Sequence, residues 1–455
     1  MSKILEINNF HYSESLYFNG FPESIGLEVT NRCNLKCSHC HHTYRSKMVT
    51  GDLPTEIFQE IRPHLGNEIK SISLNGLGEP LLSTQWDILF NTCLDTSNLN
   101  VNFITNGIIP LKLTEKLIRN NLGITFSIDG ASSSLYKHIR RADTFDRVIS
   151  NVKTINEYKK NKGSVHPVMG AIFVVTAQNM HEMPEFVRLA GDIGISHIVF
   201  SHLVAHFESQ LIRESAFFRP EGHDKYLREA QKRANELGVA IVHMGTFNES
   251  ADISLCSSTG WLYRDVNGKI RCGLTDSWCM VNYTGHVQVC CAPESLMAGD
   301  LRENSLLDIW NGAVYRKLKI GLSHSFENTC GNMCNLRQTI SLDDIRGFIC
   351  KLYETYDYDP KKVIRQPYKV TDLNRVYDTA VTVLEAGNIS SALECCERVL
   401  RIEPLAFEAE NLKGIAFALS GDKDKAVRCF LRSYEIYKDY ETAVANVRIL
   451  SRSAS

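Results

Sequence analysis

Six short apolar runs alternate with longer amphipathic runs between Glu23 and Met244. Each apolar run ends in polar or glycine-rich residues, as expected of buried strands; the six read SIGLEVT, KSISLNG, NVNFITNG, GITFSIDG, VMGAIFVVT and ISHIVFSHL. The runs between them have helical periodicity, as in TEIFQEIRPHL and DRVISNVKTINEYKKN. This alternation predicts an α/β fold with a parallel sheet curved into a partial (β/α)6 TIM-like barrel over residues 23–244. Functional side chains are then expected at the carboxyl ends of the strands.

The character of the sequence changes after the predicted barrel. Residues 245–351 are rich in cysteine and loops, and the segments WLYRDVNGKIRC and VNYTGHVQVCC predict two short hairpins within a small α+β domain. The segment YETYDYDPKKVIRQPYK, within residues 352–370, is typical of a linker. Residues 1–22 are an N-terminal extension before the barrel.

The C-terminal segment, residues 371–451, contains an internal repeat. Gly387 and Gly421 lie 34 residues apart, as do Ala392 and Ala426, and ~34 residues is the period of tetratricopeptide helix pairs. Gly falls in each turn between helices, and Ala falls where the paired helices meet. We therefore predict an all-α tail of tetratricopeptide-like repeats, and we expect it to dock on the catalytic body or on a partner because two repeats rarely stand alone.

The composition is that of an ordinary globular protein. Of the 455 residues, 44% are hydrophobic and 22% are charged, and the formal net charge is −2. This balance gives no reason to expect nucleic acid or a membrane as a partner. The N-terminal segment lacks the apolar core of a signal peptide, and no later stretch has the ~18 unbroken apolar residues of a membrane span. We therefore expect a cytoplasmic protein.

Fifteen cysteines are many for a cytoplasmic chain, and their odd number argues against a complete disulfide framework. Three of them, Cys33, Cys37 and Cys40, stand in the segment CNLKCSHCHH directly after the first predicted strand. These thiols could bind zinc with His39, His41 or His42 as a fourth ligand. The alternative is an iron–sulfur cluster with one open corner. The last group, Cys395, Cys396 and Cys429, has helical spacing among apolar residues and is expected in the core.

The Cys33-x3-Cys37-x2-Cys40 loop after a strand resembles the cluster-binding loop of the radical S-adenosylmethionine (radical SAM) superfamily. That resemblance implies a [4Fe-4S] cluster held by three thiolates, with the fourth iron free to bind S-adenosylmethionine (SAM). His39 occupies the position at which the family places an aromatic residue near the adenine of the cofactor.

Three later segments resemble the SAM-binding positions of the same superfamily. Gly76, Gly78 and Glu79 in SLNGLGEP match its glycine-rich segment, although Gly-Leu-Gly stands where relatives have adjacent glycines. TNG, which contains Asn106, and SIDG, which contains Ser127 and Asp129, match positions that face the ribose and carboxylate of the cofactor. By resemblance, Ser127 and Arg140 are the carboxylate-binding candidates, with Arg141 as the second choice for the arginine.

The later cysteines resemble those of the SPASM and twitch domains that are appended to many radical SAM enzymes. The resemblance implies one auxiliary [4Fe-4S] cluster, and its expected ligands are Cys272, Cys290, Cys330 and Cys334. The longer cysteine run of a full SPASM domain is missing, which favours the shorter twitch form. The alternatives are Cys291 in place of Cys290, substitution by Cys350, Cys279 or Cys256, and structural zinc instead of a cluster.

The resemblance implies reductive cleavage of SAM to a 5′-deoxyadenosyl radical that removes hydrogen from an unactivated substrate carbon. An auxiliary cluster would complete a two-electron oxidation, and a flavodoxin or ferredoxin would supply the first electron. With no peptide-recognition domain before the barrel, we expect a small polar substrate such as a sugar or cyclitol.

Two alternatives remain from the sequence. The helical repeats favour a peptide or protein maturase that recruits its substrate through them. The other is a non-catalytic scaffold whose cysteines bind structural metal. The sequence identifies no catalytic acid or base.

Overall fold

The computed structural model describes residues 20–44, 49–203, 214, 216, 219–243, 262–264, 270–290, 297–312, 314–316, 318, 370–402, 406–436 and 440–452. These residues divide into two compact units. The first contains the described residues from 22 to 306, and the second contains those from 307 onward together with residues 20–21.

The first unit is built on a sheet of ten strands in the order β12-β11-β10-β1-β2-β3-β4-β5-β6-β7, beside a separate hairpin of β8 and β9. The strands are β1 (Ser24–Leu27), β2 (Ser71–Leu74), β3 (Asn100–Thr105), β4 (Leu122–Ser127), β5 (Val168–Val175), β6 (His197–His202), β7 (Ala240–His243), β8 (Leu262–Arg264), β9 (Ile270–Cys272), β10 (Trp278–Val281), β11 (His286–Gln288) and β12 (Met297–Asp300). The predicted parallel sheet is confirmed, since β1 to β7 pair in parallel in chain order. The sequence predicted six of these strands and did not predict β7.

Helices connect the parallel strands, as the amphipathic runs predicted. Those of the first unit are α1 (His41–Tyr44), α2 (Thr55–Ile61), α3 (Trp86–Asp95), α4 (Glu115–Arg119), α5 (Ser133–Arg140), α6 (Phe145–Asn161), α7 (Met183–Ile193), α8 (Pro220–Leu237) and α9 (Leu274–Ser277). The helix α10 (Leu306–Trp310) spans the boundary between the units. Among the described helices, none is both long and apolar enough to cross a membrane.

One face of the parallel sheet packs against these helices. Phe103 of β3 contacts Trp86 and Phe90 of α3, and Phe173 of β5 contacts Phe186 of α7. All five rings are buried. Because side chains alternate between faces along a strand, the residues next to these phenylalanines face away from the helices. We call that second surface the inner face of the sheet.

The second hairpin of the cysteine-rich region, β10 and β11, joins the main sheet. Strand β10 pairs in parallel with β1, and Gly26 is in register with Met280. A Cβ atom at Gly26 would lie 2.5 Å from the Met280 sulfur and 2.7 Å from the Trp278 ring. Glycine therefore permits these large side chains to cover the inner face beside β1. The predicted hairpins are confirmed, but their sequence did not reveal this pairing with β1.

The described part of the second unit is mainly helical. Its helices after α10 are α11 (Val370–Glu385), α12 (Ile389–Ile402), α13 (Phe407–Leu419), α14 (Lys423–Ile436) and α15 (Glu441–Arg452). Gly387 and Gly421 lie in the two short turns with nearly equal φ angles of 82° and 85°. Ala392 and Ala426 are both fully buried. At Gly414 a Cβ atom would lie 2.6 Å from the Phe430 ring, so glycine permits the close approach of α13 and α14.

Candidate active site

The cysteine loop leaves the carboxyl end of β1 and is held in place by hydrogen bonds from several directions. The Ser38 amide donates to the carbonyl of Ile139 (2.8 Å), and the Glu79 amide donates to the carbonyl of Arg32 (2.7 Å). The imidazole Nε2 of His42 lies 2.9 Å from the carbonyl of Asn31. His42 therefore braces the loop, while the side chain of His41 lies outside the described residues.

The three thiols of this loop are strongly sheltered. Cys37 is buried, and Cys33 and Cys40 are partly buried. Burial raises the pKa of the Cys33 thiol to about 11, and it also raises the pKa values of Cys37 and Cys40. The thiols are therefore protonated at neutral pH, and binding iron must release their protons.

The donor set of the loop fits a cluster with an open corner. Each thiolate of such a cluster binds a different iron, so the three sulfurs need not meet at a single point. Among the described residues, no three His, Cys, Asp or Glu side chains could hold one metal ion. The nitrogen Nδ1 of His39 is buried and has no hydrogen-bond partner among the described residues. It leaves a polar group beside the loop for a bound cofactor to meet.

The glycine-rich segment after β2 lies against the cysteine loop. A Cβ atom at Gly78 would lie 2.5 Å from the carbonyl oxygen of Thr30 and 2.6 Å from that of Arg32. At Gly76 a Cβ atom would lie 2.3 Å from the side chain of Glu28. Glycine is therefore required at both positions by the close approach of other atoms of this chain.

Gly78→Ala is expected to displace this contact and to destabilise the protein. Because the clashing atoms belong to the backbone, the loop must move, and overpacking of this kind costs about 2 kcal/mol or more. Urea unfolding is the measurement. Gly51→Ala is the matched control, because its Cβ atom would only touch the Tyr283 ring at 3.5 Å. Equal unfolding midpoints for the two variants would contradict the close approach.

Glu79 follows this segment and is buried with only 2% of its surface exposed. Its carboxylate accepts hydrogen bonds from the Thr105 hydroxyl (2.8 Å) and the Asn106 amide (2.7 Å). The side chain of Asn106 in turn donates to Asn34 in the cysteine loop (2.8 Å). Burial raises the pKa of the Glu79 carboxyl, although these hydrogen bonds oppose the shift. The sequence-predicted residues Glu79 and Asn106 thus join the ends of β2 and β3 to the loop.

Asp129 and Arg140 form a buried ion pair behind the same loop. The Nε of Arg140 lies 2.6 Å from Oδ2 of Asp129, and Nη1 of Arg140 lies 3.7 Å from the sulfur of Cys37. The Nε2 of His39 lies 3.5 Å from the same carboxylate, and burial lowers the pKa of this histidine. Arg141 is exposed and ends α5 in the left-handed conformation. The structure therefore brings Arg140, and not Arg141, to the cysteine loop.

Ser127 lies on the inner face of the sheet at the end of β4. It alternates with Phe126 and Ile128, which are buried on the helix-covered side, and it is partly exposed. The structure thus separates two sets of sequence candidates. Asp129 and Arg140 lie beneath the cysteine loop, whereas Ser127 faces the open side of the sheet.

Cys272 and Cys290 lie near each other in the cysteine-rich region. Burial raises the pKa of the Cys272 thiol to about 11, and the charge of Cys290 adds to the shift. Cys279 lies in β10, in register with Ile25 of β1, and is fully buried. The remaining candidates, Cys256, Cys291, Cys330, Cys334 and Cys350, lie outside the described residues.

Sequence reasoning missed two buried polar residues that support the site. Glu28 accepts hydrogen bonds from the amides of Leu77 (2.7 Å) and Tyr283 (3.2 Å), so it links β1 to the glycine-rich segment and to the β10–β11 turn. Asn179 donates to the backbone carbonyl of Asp129 (3.0 Å). A carboxylate directly after a buried strand was a signal for Glu28. No local pattern distinguishes Asn179.

A third group that the sequence did not single out lies at the end of β6. The Nε2 atoms of His202 and His223 lie 3.1 Å apart, and Nδ1 of His223 lies 2.8 Å from Asp224. His223 and Asp224 are buried in the first turn of α8. The hydrogen bond from His223 to this carboxylate orients its ring. The contact between His202 and His223 connects β6 to α8.

Family comparisons agree with this geometry. Residues 27–190 match the model of the radical SAM superfamily, and residues 272–335 match that of the SPASM iron–sulfur cluster-binding domain. The chain contains a radical SAM domain and a SPASM domain. A radical SAM domain is an enzyme domain that binds SAM and a [4Fe-4S] cluster, and a SPASM domain binds auxiliary iron–sulfur clusters. The chain is therefore an enzyme, and the interpretation as a non-catalytic scaffold is wrong.

Curated relatives of the radical SAM domain catalyse different reactions. The chain is 28% identical to a probable GTP 3′,8-cyclase of Methanocaldococcus jannaschii over 38% of this chain and 56% of that protein. It is 26% identical to the pre-heme d1 synthase of Dinoroseobacter shibae over 43% of this chain and 48% of that protein. It is 23% identical to the AdoMet-dependent heme synthase of Methanosarcina barkeri over 66% and 85%. The chain spans about half the length of the cyclase and of the pre-heme d1 synthase.

Solved radical SAM structures share the fold. The SuiB enzyme of Streptococcus suis, bound to its precursor peptide SuiA, superposes with a TM-score of 0.52 at 17% identity, over 65% of this chain and 66% of SuiB. The anSMEcpe protein with bound AdoMet gives a TM-score of 0.52 at 16% identity, over 73% and 94%. At these identities the likeness shows the fold alone.

Proposed function

We propose that this radical SAM protein oxidises a small polar substrate, such as a sugar or cyclitol, by two electrons. The observation that carries the proposal is the convergence of Cys37, Glu79 and Arg140 at one edge of the sheet. When bound, SAM and the two clusters would supply a 5′-deoxyadenosyl radical and an acceptor for the second electron. A flavodoxin or ferredoxin would be the electron donor.

The chain's own residues would then bind and orient the two small molecules. The backbone of the segment from Gly76 to Glu79 and the side chains of His39 and Asn106 are the proposed contacts of SAM. Ser127 is the proposed contact of its carboxylate on the inner face. Glu79 and Asp129 would hold the ends of β2, β3 and β4 in register around it. The hydrogen bonds of Glu79 join the ends of β2 and β3, and Asp129 after β4 pairs with Arg140, which contacts Cys37.

The inner face of the sheet supports a polar substrate. Ser73, Asn102, Thr125 and Ser201 lie on this face, each partly or fully exposed. Hydroxyl and amide side chains can hydrogen-bond the hydroxyl groups of a sugar or cyclitol.

The proposed auxiliary cluster would be held by Cys272, Cys290, Cys330 and Cys334 in a twitch-like arrangement. The proximity of Cys272 and Cys290 supports the first half of this ligand set. The β10–β11 hairpin follows Cys272 after the short helix α9, and its strand β10 pairs with β1. This pairing supports placing an electron acceptor within the same compact unit as the cysteine loop.

The experiment is an assay of SAM cleavage in anaerobically reconstituted, reduced protein. We expect 5′-deoxyadenosine to form slowly without substrate and faster with the correct one. With a panel of deuterated cyclitols and sugars, deuterium should appear in 5′-deoxyadenosine for the true substrate class. A protein that contains a reduced cluster and still forms no 5′-deoxyadenosine would refute the proposal.

A second candidate is a peptide or protein maturase, and the helical tail favours it. The matching turns at Gly387 and Gly421 and the buried Ala392 and Ala426 support tetratricopeptide-like repeats, whose surfaces commonly bind peptides. The same assay separates the candidates when peptides encoded next to this gene are added to the panel. Deuterium transfer from a labelled peptide, with none from the polyols, would support the maturase.

A further inference from the structure

The environment of Cys37 contains a feature that cofactor binding alone does not require. Arg140 is buried, with 6% of its surface exposed, and its Nη1 points to the sulfur of Cys37 at 3.7 Å. A guanidinium has no deprotonated form in proteins. A permanent positive charge therefore lies beside one of the three expected thiolates of the open-corner cluster.

Asp129 and its hydrogen-bond partners fix the position of this charge. Oδ2 of Asp129 holds Nε of Arg140, while Oδ1 of Asp129 accepts a hydrogen bond from the Val174 amide at 2.8 Å. Asn179 donates to the backbone carbonyl of Asp129 and also to that of Val174. The carboxylate is thereby tied to the end of β5. Both oxygens of Asp129 have partners, Oδ2 with Nε of Arg140 and Oδ1 with the Val174 amide, and Nη1 of Arg140 is the group that contacts the sulfur.

The sign of the effect follows from the charge of the cluster. Reduction adds one negative charge to an iron–sulfur cluster, so a nearby cation stabilises the reduced form more than the oxidised form. Hydrogen bonds to cluster sulfurs act in the same direction, and both are recognised determinants of cluster potential. In a buried site the charge is poorly screened by solvent. Arg140 should therefore make the open-corner cluster easier to reduce.

We propose that Arg140, aligned by Asp129, is a positioning residue that raises the reduction potential of the open-corner cluster through its contact with Cys37. The inference rests on the proposed function, because it requires that cluster. It also gives Arg140 a role different from binding the SAM carboxylate. Two of its three guanidinium nitrogens already face Asp129 and Cys37.

The test is a redox titration of the reconstituted full-length protein, followed by electron paramagnetic resonance. The spectrum of Cys37→Ala protein identifies the auxiliary cluster, and addition of SAM identifies the open-corner cluster by a change in its signal. At the potential that half-reduces the wild-type cluster, Arg140→Gln should lower the ratio of reduced to oxidised cluster about tenfold, which is ~59 mV for one electron.

Three variants control this measurement. Arg141→Gln removes the neighbouring exposed arginine and should leave the ratio unchanged. Arg140→Lys keeps the charge and should recover most of the wild-type ratio. Removing one member of a buried ion pair can prevent folding. If Arg140→Gln fails to hold iron, Arg140→Gln combined with Asp129→Asn takes its place, because it leaves no buried charge unpaired. A smaller decrease is then expected, since the opposing charge of Asp129 is removed with that of Arg140.

The outcomes separate the two proposals. An unchanged ratio in an iron-replete variant without the Arg140 charge overturns the inference and leaves the proposed function intact. An equal decrease in Arg141→Gln protein also overturns it, since the effect would then be one of general charge. Wild-type protein without a reducible, SAM-responsive cluster refutes the proposed function, and the inference falls with it.

Discussion

Cys37→Ala protein is expected to fold, to lose the open-corner cluster and to form no 5′-deoxyadenosine from SAM. Its iron content should fall by about four atoms per chain, because one [4Fe-4S] cluster is lost. SAM cleavage should fall by far more than the ~10–100-fold that removal of an outer-shell partner costs, because a ligand itself is removed. Iron analysis and mass spectrometry of 5′-deoxyadenosine measure the two effects.

Cys93→Ala is the matched control for this variant. Cys93 is buried like Cys37, but it lies in α3, and burial alone raises the pKa of its thiol to about 12. We expect its iron content and SAM cleavage to equal those of the wild type, with only a small loss of stability. If Cys37→Ala protein kept its iron and its SAM cleavage, Cys37 would not be a cluster ligand.

Cys272→Ala protein is expected to lose about four iron atoms as well, but to retain SAM cleavage. The reason is that Cys272 belongs to the proposed auxiliary ligand set, whereas Cys33, Cys37 and Cys40 hold the cluster that binds SAM. With the true substrate, hydrogen abstraction should continue while formation of the two-electron oxidised product stops. Iron analysis, 5′-deoxyadenosine and product formation are measured together.

Cys279→Ala provides the comparison for this variant. Cys279 lies only a few residues from Cys272 and is fully buried in β10, in register with Ile25. If Cys272 is the ligand and Cys279 is a core residue, only the first substitution removes iron. The reverse result would move the auxiliary site to Cys279, and loss of zinc instead of iron would identify a structural metal site.

The order of strands and the cysteine loop were predictable because they depend on local patterns. Apolar runs of strand length between amphipathic runs predicted β1 to β6, and strand ends in a parallel sheet share one edge. Cys33, Cys37 and Cys40 needed only their spacing and their place after a strand. Gly76 and Gly78 were matched by resemblance to the glycine-rich segment of the superfamily, and in the structure their close neighbours are Glu28 and the backbone of residues 30–32.

Contacts between residues far apart in sequence were not predictable. The pairing of β10 with β1 joins residues more than 250 positions apart, and the same holds for the hydrogen bond from the Tyr283 amide to Glu28. No local sequence pattern in either strand identifies the strand with which it pairs. The choice between Arg140 and Arg141 was also open, because adjacent residues at the end of a helix differ only in the direction of their side chains.

The sequence by itself therefore determined the parallel α/β architecture, the donor set of the first cysteine loop and the edge of the sheet at which it lies. Periodicity and spacing encode these properties, and both are local. The tertiary structure decided that Arg140 faces Cys37, that Asp129 and Asn179 fix it there, and that the β10–β11 hairpin extends the sheet beside β1. These depend on side-chain direction and on long-range packing, which become defined only when the strands and helices assemble.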